Sequence, residues 1–208
     1  MSYQLNFDGN DDYIDIPSIS ISNNFTIEIE IDYVSSFGST IFVSAWPKTN
    51  GWYIGTKNDK LNFFHENITE YNGTTLTDGE FYKIKIDRVG SSVNIYLDNN
   101  FETSLPDAAQ WGNIERFGSS LDNQFYTPSK LRWWSFKDGV DDRFYDANDV
   151  DATGSVLVEA IQNKDGTINN FPTDDSQCVF FDRTKPIPIN LNAVNIETTS
   201  VLLNWSQS

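Results

Sequence analysis

The sequence predicts an all-β chain in which two antiparallel sheets pack face to face, and three observations carry that expectation. In Phe25-Thr-Ile-Glu-Ile-Glu-Ile-Asp-Tyr33, apolar and polar residues alternate strictly, so Phe25, Ile27, Ile29 and Ile31 share one face of a half-buried strand. Aromatic residues make up 14% of the chain, with 15 Phe, 9 Tyr and 6 Trp. The segments between Gly and Pro signals are short and rich in Ile, Val, Thr and Tyr.

Taken in order, strands are expected near Tyr3–Phe7, Tyr13–Ile16, Phe25–Tyr33, Thr40–Ser44, Trp52–Thr56, Leu61–Phe64 and Tyr71–Thr75. Phe81–Asp87 and Ser92–Leu97 flank the Gly-containing turn Arg88-Val-Gly-Ser91, and Asp98-Asn-Asn100 turns the chain into Phe101–Ser104. Residues 81–104 therefore read as a three-strand meander. Lys130–Phe136, Val156–Glu159 and Gln177–Phe181 follow, while the Asp-rich stretch from Asp138 to Thr153 reads as loop. About a dozen strands are too many for one flat sheet, hence two. Lys185-Pro-Ile-Pro188 places two prolines within three residues, a connector that cannot join a central strand.

At 208 residues the chain is long enough for one large core. Its formal charge of −16 leaves few cations to neutralise phosphates, which excludes nucleic acid and anionic membranes as expected partners. No apolar run is long enough to span a bilayer, and Met1-Ser-Tyr-Gln-Leu-Asn-Phe7 lacks the pattern of a signal peptide. Cys178 is the only cysteine, within the apolar run Cys178-Val-Phe-Phe181, and is expected to be an inert core thiol. His65 is the only histidine and lacks partners for zinc or a nucleophile triad, so it is given no catalytic role.

Three stretches resemble the laminin G-like, concanavalin A-like family. Leu5-Asn-Phe-Asp-Gly-Asn-Asp-Asp-Tyr-Ile-Asp-Ile-Pro17 is similar to its opening hairpin, and Phe25-Thr-Ile-Glu28 to its third strand. Thr77-Asp-Gly-Glu-Phe-Tyr-Lys-Ile-Lys-Ile-Asp-Arg88 with Val93-Asn-Ile-Tyr-Leu-Asp98 resembles its central signature, with Phe81 where that family usually has Trp. The resemblance covers residues 1 to about 137 and implies a jelly-roll β-sandwich over residues 1–184. Residues 185–208 form a Pro-containing linker and a segment that looks like the first two strands of a fibronectin type III module. Tandem modules of these kinds imply a phage tail, fibre or capsid-decoration protein, or a secreted bacterial protein.

Glu28, Glu30 and Asp32 lie on one face of a strand, and laminarinase-like glycosidases of this sandwich class carry Glu-x-Asp-x-Glu. The order here is Glu-x-Glu-x-Asp and the flanks differ, so a solvated polar face is expected and no catalytic residue is assigned. The turn Asp8-Gly-Asn-Asp-Asp12 offers oxygen donors at positions 8, 10 and 12 without the later glycine and glutamate of an EF-hand. The resemblance implies one structural Ca2+ here, held by Asp8, Gly9 and Asp182. A second acidic cluster, Asp138-Gly-Val-Asp-Asp142 with Asp146, Asn148, Asp149 and Asp151, has the donors to gather a cation, but solvated like charges in a loop are the expectation.

A pyranose stacks its C–H face on an exposed aromatic ring, with amides and carboxylates reaching its hydroxyls. Trp46-Pro-Lys-Thr-Asn-Gly-Trp52 fits best, through Trp46, Asn50 and Trp52. Trp111 is the next candidate. Alternation sends Trp134 with Phe136 to the core and leaves Trp133 outside.

The expected function is a non-enzymatic carbohydrate-binding or adhesion module displayed on a virion or outside the cell. Its partner is a surface glycan or another surface protein. The alternative is a structural spacer or homo-oligomer contact formed by the same exposed aromatics. A glycoside hydrolase comes third.

Overall fold

The computed structural model describes residues 4–35, 38–66, 70–150 and 156–171, and the backbone of 2–3 and 178–181. Sixteen strands occur among them. The first eight are β1 (Ser2–Asn6), β2 (Tyr13–Ile19), β3 (Asn24–Asp32), β4 (Ser39–Ser44), β5 (Trp52–Lys57), β6 (Lys60–His65), β7 (Tyr71–Thr75) and β8 (Phe81–Val89). The remainder are β9 (Ser92–Leu97), β10 (Asn100–Pro106), β11 (Ile114–Phe117), β12 (Lys130–Lys137), β13 (Arg143–Val150), β14 (Val156–Glu159), β15 (Gly166–Asn169) and β16 (Cys178–Phe181).

Every pairing among these strands is antiparallel. One arm runs β10-β9-β8-β3-β12-β13, and β1 pairs with both β12 and β16. The other runs β14-β15-β2-β11-β4-β5-β6-β7, joined to the first where β13 meets β14. The arms face each other: Phe117 of β11 meets Trp134 of β12 with ring centroids 4.5 Å apart. Ile27, Ile29, Ile31, Ile84, Ile86 and Ile95 line the first arm's inner face and Ile14, Ile54 and Phe63 the second's, all buried in one cluster. Alternation within each strand fills this core by placing every second side chain between the arms. The expected sandwich is therefore the observed fold.

Three strands were not expected. Asp138 to Thr153 is not simply loop, because residues 143–150 form β13, which pairs with residues 133–136 of β12. Its inward positions are Arg143, Tyr145 and Ala147, all buried, so a cation occupies a slot where the alternation calls for an apolar residue. β11 and β15 have four residues each, and β11 carries a bulge between Ile114 and Arg116, too short a run for a period to register. Cys178 lies on β16, whose side chains fall outside the described residues, as do Asp182, the proposed boundary after residue 184 and the whole segment 185–208.

Candidate functional site

β5 and β6 pair in register with Tyr53 opposite Phe64. Trp52, Ile54, Phe63 and His65 point into the core, so the intervening Tyr53 and Phe64 lie side by side on the outer face. Their rings stack at 5.3 Å and 19°, and Trp46 meets Phe64 edge-on at 5.1 Å and 89°. Phe125, from the segment beside β4, closes the other wall and is 43% exposed. Its carbonyl accepts the Ile41 amide at 3.0 Å, and it adopts φ +55°, a region that bulky residues rarely enter.

Together these rings bound a groove of about 270 Å³. Its polar end is built by Lys57 and Glu70, whose Nζ and Oε1 are 2.8 Å apart. Asn62 donates to the same carboxylate at 3.0 Å. The Lys57 hydrogen bond, aided by Asn62 and resisted by burial, holds the Glu70 carboxyl below its ordinary range. Burial, and then the Glu70 charge, pushes the Tyr53 hydroxyl up to about 12, so Tyr53 keeps its proton and can donate it.

Of the aromatic residues expected at a ligand surface, Trp46 is in this groove. Asn50 sits in the same loop at φ +59°, with its carbonyl accepting from Gly112. Trp52 and Trp111 correct the expectation, because both belong to the core, at 0% and 3% exposure. Their rings meet at 4.9 Å, and each indole N–H is committed, Trp52 to the Gly112 carbonyl and Trp111 to the Asp107 carboxylate. His65 packs against Trp111 with Nδ1 3.3 Å from Asp107 Oδ2, both side chains fully buried. Trp133 is half-buried on the other arm's outer face, donating to Glu30 with Lys83 5.4 Å from its ring, and does not share the groove. Trp134 and Phe136 are core, as alternation indicates. Tyr53, Phe64 and Phe125 were missed. The signal for two of them was phase, since Trp52-Tyr53-Ile54 and Phe63-Phe64-His65 each set one aromatic opposite its inward neighbours.

The carboxylate row of β3 is a paired surface. Glu28 contacts Lys83 at 2.9 Å, Glu30 contacts Arg132 at 2.6 Å and Asp32 contacts Lys130 at 3.2 Å. Each of the three carboxylates thus has a cation as its neighbour on the outer face of the strand. The Asp138–Asp142 cluster shapes the β12–β13 turn: Asp138 accepts the amides of Val140 and Asp141, and Asp142 those of Asp138 and Gly139.

In the turn before β2, the carboxylates of Asp8, Asp11 and Asp12 lie within 4.8 Å of one another. Asp8 is held by an Asx turn, accepting the Asn10 amide at 2.7 Å. Asp12 is 1% exposed; its Oδ2 accepts the Asp8 amide, and its Oδ1 has no hydrogen-bond donor among the described residues. Burial, then the charges of Asp8 and Asp11, push the Asp12 carboxyl up to about 6 against that amide bond. A set made only of hard oxygen donors, one of them buried without a donor, suits a cation such as Ca2+. Gly9 adopts φ +79° in this turn, where an added Cβ would meet Pro128 at 3.0 Å.

A second groove, of about 310 Å³, opens on the same outer face as the aromatic one. Arg116 of β11 donates to Asp15 of β2 at 2.7 Å and lies 3.9 Å above the Tyr13 ring. Lys48 pairs with Glu115, which also accepts from Ser18. Leu121 lines this groove and donates its amide to the Trp46 carbonyl at 2.8 Å, so Trp46 stands between the two.

No family model and no curated protein matches the chain by sequence. Its backbone is similar to a Bacteroides ovatus structure described as a candidate carbohydrate-binding protein, with TM-score 0.65 and 14% identity over 81% of this chain. The chain spans 58% of that protein's length. It is also similar to a heptameric SAP-like pentraxin from Limulus polyphemus, with TM-score 0.51 and 12% identity, over 65% of this chain and 75% of that one. Domains LG4-5 of the mouse laminin alpha1 chain give TM-score 0.52 and 9% identity, over 68% of this chain and 42% of theirs. At these identities the likeness establishes the fold: the chain is an antiparallel two-sheet jelly-roll sandwich of the kind found in pentraxin and laminin G domains.

Proposed function

We propose that this protein is a non-catalytic glycan-binding module whose ligand lies on the outer face of β4, β5 and β6. The observation that carries this reading is the groove walled by Trp46, Tyr53, Phe64 and Phe125 and ended by the Lys57–Glu70 pair. Stacked rings offer a sugar its C–H contact, and Lys57, Glu70 and the protonated Tyr53 hydroxyl supply donors and acceptors for its hydroxyls. The description attached to the Bacteroides ovatus structure points the same way. Pairing of the β3 carboxylates with cations supports binding over hydrolysis.

Screening the protein on a glycan array, then titrating the best binder into Tyr53→Ala and Phe64→Ala, tests the reading. Binding weakened tenfold or more in both variants, with little change in melting temperature, is expected. Full affinity in both, or an array with no binder, overturns it. The setting we propose, a phage particle or a secreted bacterial protein, rests on the resemblance of the sequence to tandem laminin G-like and fibronectin type III-like modules and is tested by locating the protein in purified virions or culture medium. We also propose one structural Ca2+ in the turn before β2, with Asp12 added to Asp8 and Gly9 as a holder. The donor-free Asp12 Oδ1 supports it.

A further inference from the structure

We infer that the ligand is a neutral, linear oligosaccharide that crosses the sheet from the aromatic groove, past Trp46, into the charged groove beside it. This inference rests on the glycan-binding reading and specifies its ligand. The strand registers align one row across five strands: Asp15 opposite Arg116, Arg116 opposite Ser44, Ser44 opposite Tyr53, and Tyr53 opposite Phe64. Four inter-strand steps of about 4.8 Å make this row roughly 19 Å long, room for several sugar rings in line. Ser44, at its middle, is covered by the Trp46 backbone, whose amide donates to the Ser44 hydroxyl at 2.8 Å. From this midpoint the Trp46 ring reaches into the aromatic groove, meeting Phe64 edge-on at 5.1 Å, so it can stack on a sugar of a chain that continues past Ser44 into the second groove.

Charge decides the ligand class. The aromatic groove holds one cation and one anion, Lys57 and Glu70, paired with each other. The second holds two of each, Lys48 with Glu115 and Arg116 with Asp15, also paired. Both grooves are locally neutral on a chain of net charge −16. An acidic polymer meets repulsion from the whole molecule and finds no unpaired cation in either groove. A neutral glycan meets neither obstacle, and the paired groups present fixed donors and acceptors to its hydroxyls.

The test titrates neutral gluco-, manno- and galacto-oligosaccharides of two to six residues, with oligogalacturonates of the same lengths, into the wild type and Lys48→Ala/Glu115→Ala. Expected is a neutral series in which the tetrasaccharide binds at least tenfold more tightly than the disaccharide, with that ratio falling to near one in the double variant. Oligogalacturonates are expected to bind at least tenfold more weakly than neutral chains of equal length. Equal affinity for two and four residues, a ratio unchanged in the double variant, or tight oligogalacturonate binding overturns this inference and leaves the glycan-binding reading standing. If no oligosaccharide binds at any length and the array is also blank, both fall.

Discussion

The Tyr71 hydroxyl donates to Glu102 Oε2 at 2.8 Å, and through that bond the two ends of the strand path, β7 and β10, are tied to each other. Thr74 adds its own hydroxyl to the same carboxylate at 2.8 Å. Burial, and then Glu102, raise the Tyr71 hydroxyl well above its ordinary range, so the tyrosine remains a donor at every physiological pH. Each edge strand has one ladder neighbour only, and this side-chain clasp restrains both. Glu102→Ala is expected to cost about 1–2 kcal/mol, the net worth of hydrogen bonds to a partly exposed charge. Amide exchange should accelerate in residues 71–75 and 100–106 before the rest; uniform acceleration would show that the clasp is not local.

The indoles buried at Trp52 and Trp111 make the opposite prediction to Tyr53. Trp52→Ala or Trp111→Ala removes a core ring and should cost about 3–5 kcal/mol. Tyr53→Ala should leave stability within about 1.5 kcal/mol while weakening glycan binding. Chemical denaturation of the three variants distinguishes the assignments, and a mild Trp52→Ala would reopen Trp52 as a surface residue.

What could be read in advance was the period, and what could not was the use made of individual residues. Ile27, Ile29 and Ile31 announce β3 because its inward slots are all apolar; β13 stayed hidden because Arg143 fills one of its inward slots. Tryptophan as a residue type suggested a binding face, yet two of those chosen had the phase of core residues, with Trp52 in step with Ile54. Tyr53 and Phe64 become a site only when the β5–β6 register sets them side by side, a relation between strands that no single strand displays. In the turn before β2, the Asx turn at Asp8 was legible from the turn chemistry, whereas Asp8 and Gly9 as cation holders came from the family resemblance alone. The burial of Asp12 depends on packing that the local sequence does not encode.

Asp107 gives the fold an acid-sensitive joint. Its carboxylate is 2% exposed and accepts from the Trp111 indole and the Ala109 amide, beside His65. Burial opposes ionisation, but the close approach of His65 with the Ala109 and Trp111 hydrogen bonds outweighs it and holds the carboxyl below its ordinary value. A carboxyl depressed in the folded state contributes stability above its unfolded pKa, near 3.9, and loses that contribution as pH falls through the folded value. Urea unfolding from pH 7 down to pH 2 should therefore show a fall on the acid side that Asp107→Asn flattens. At neutral pH the same variant should be weaker by about 3 kcal/mol, because it breaks a buried polar cluster. An acid limb of unchanged steepness in Asp107→Asn would locate the sensitivity elsewhere.

If the turn before β2 holds Ca2+, calcium at a hundredfold excess over its dissociation constant should stabilise the fold by about 2.7 kcal/mol, and EGTA should reverse the effect. Asp12→Asn removes a carboxylate charge from the set and should abolish the calcium-dependent shift in melting temperature. A wild-type melting temperature indifferent to both calcium and EGTA would rule the ion out.

Phe125 separates the demands of binding from those of folding. A left-handed backbone costs a non-glycine residue about 1–2 kcal/mol, and Phe125 bears it at φ +55° while leaving 43% of its surface exposed at the groove. Strain of this kind collects where a ligand wall must be held in place. Phe125→Gly relieves the backbone, gives up part of the ring's burial and loosens the unfolded chain, and these contributions nearly cancel. The expected result is a stability within about 1 kcal/mol of wild type, together with glycan affinity about tenfold weaker, the loss of one aromatic contact. Phe125→Ala keeps the left-handed strain without the ring, so it should bind as weakly as Phe125→Gly but melt at a lower temperature. If Phe125→Gly instead bound as tightly as wild type, the residue would be a turn element, and the groove would be walled by Trp46, Tyr53 and Phe64 alone.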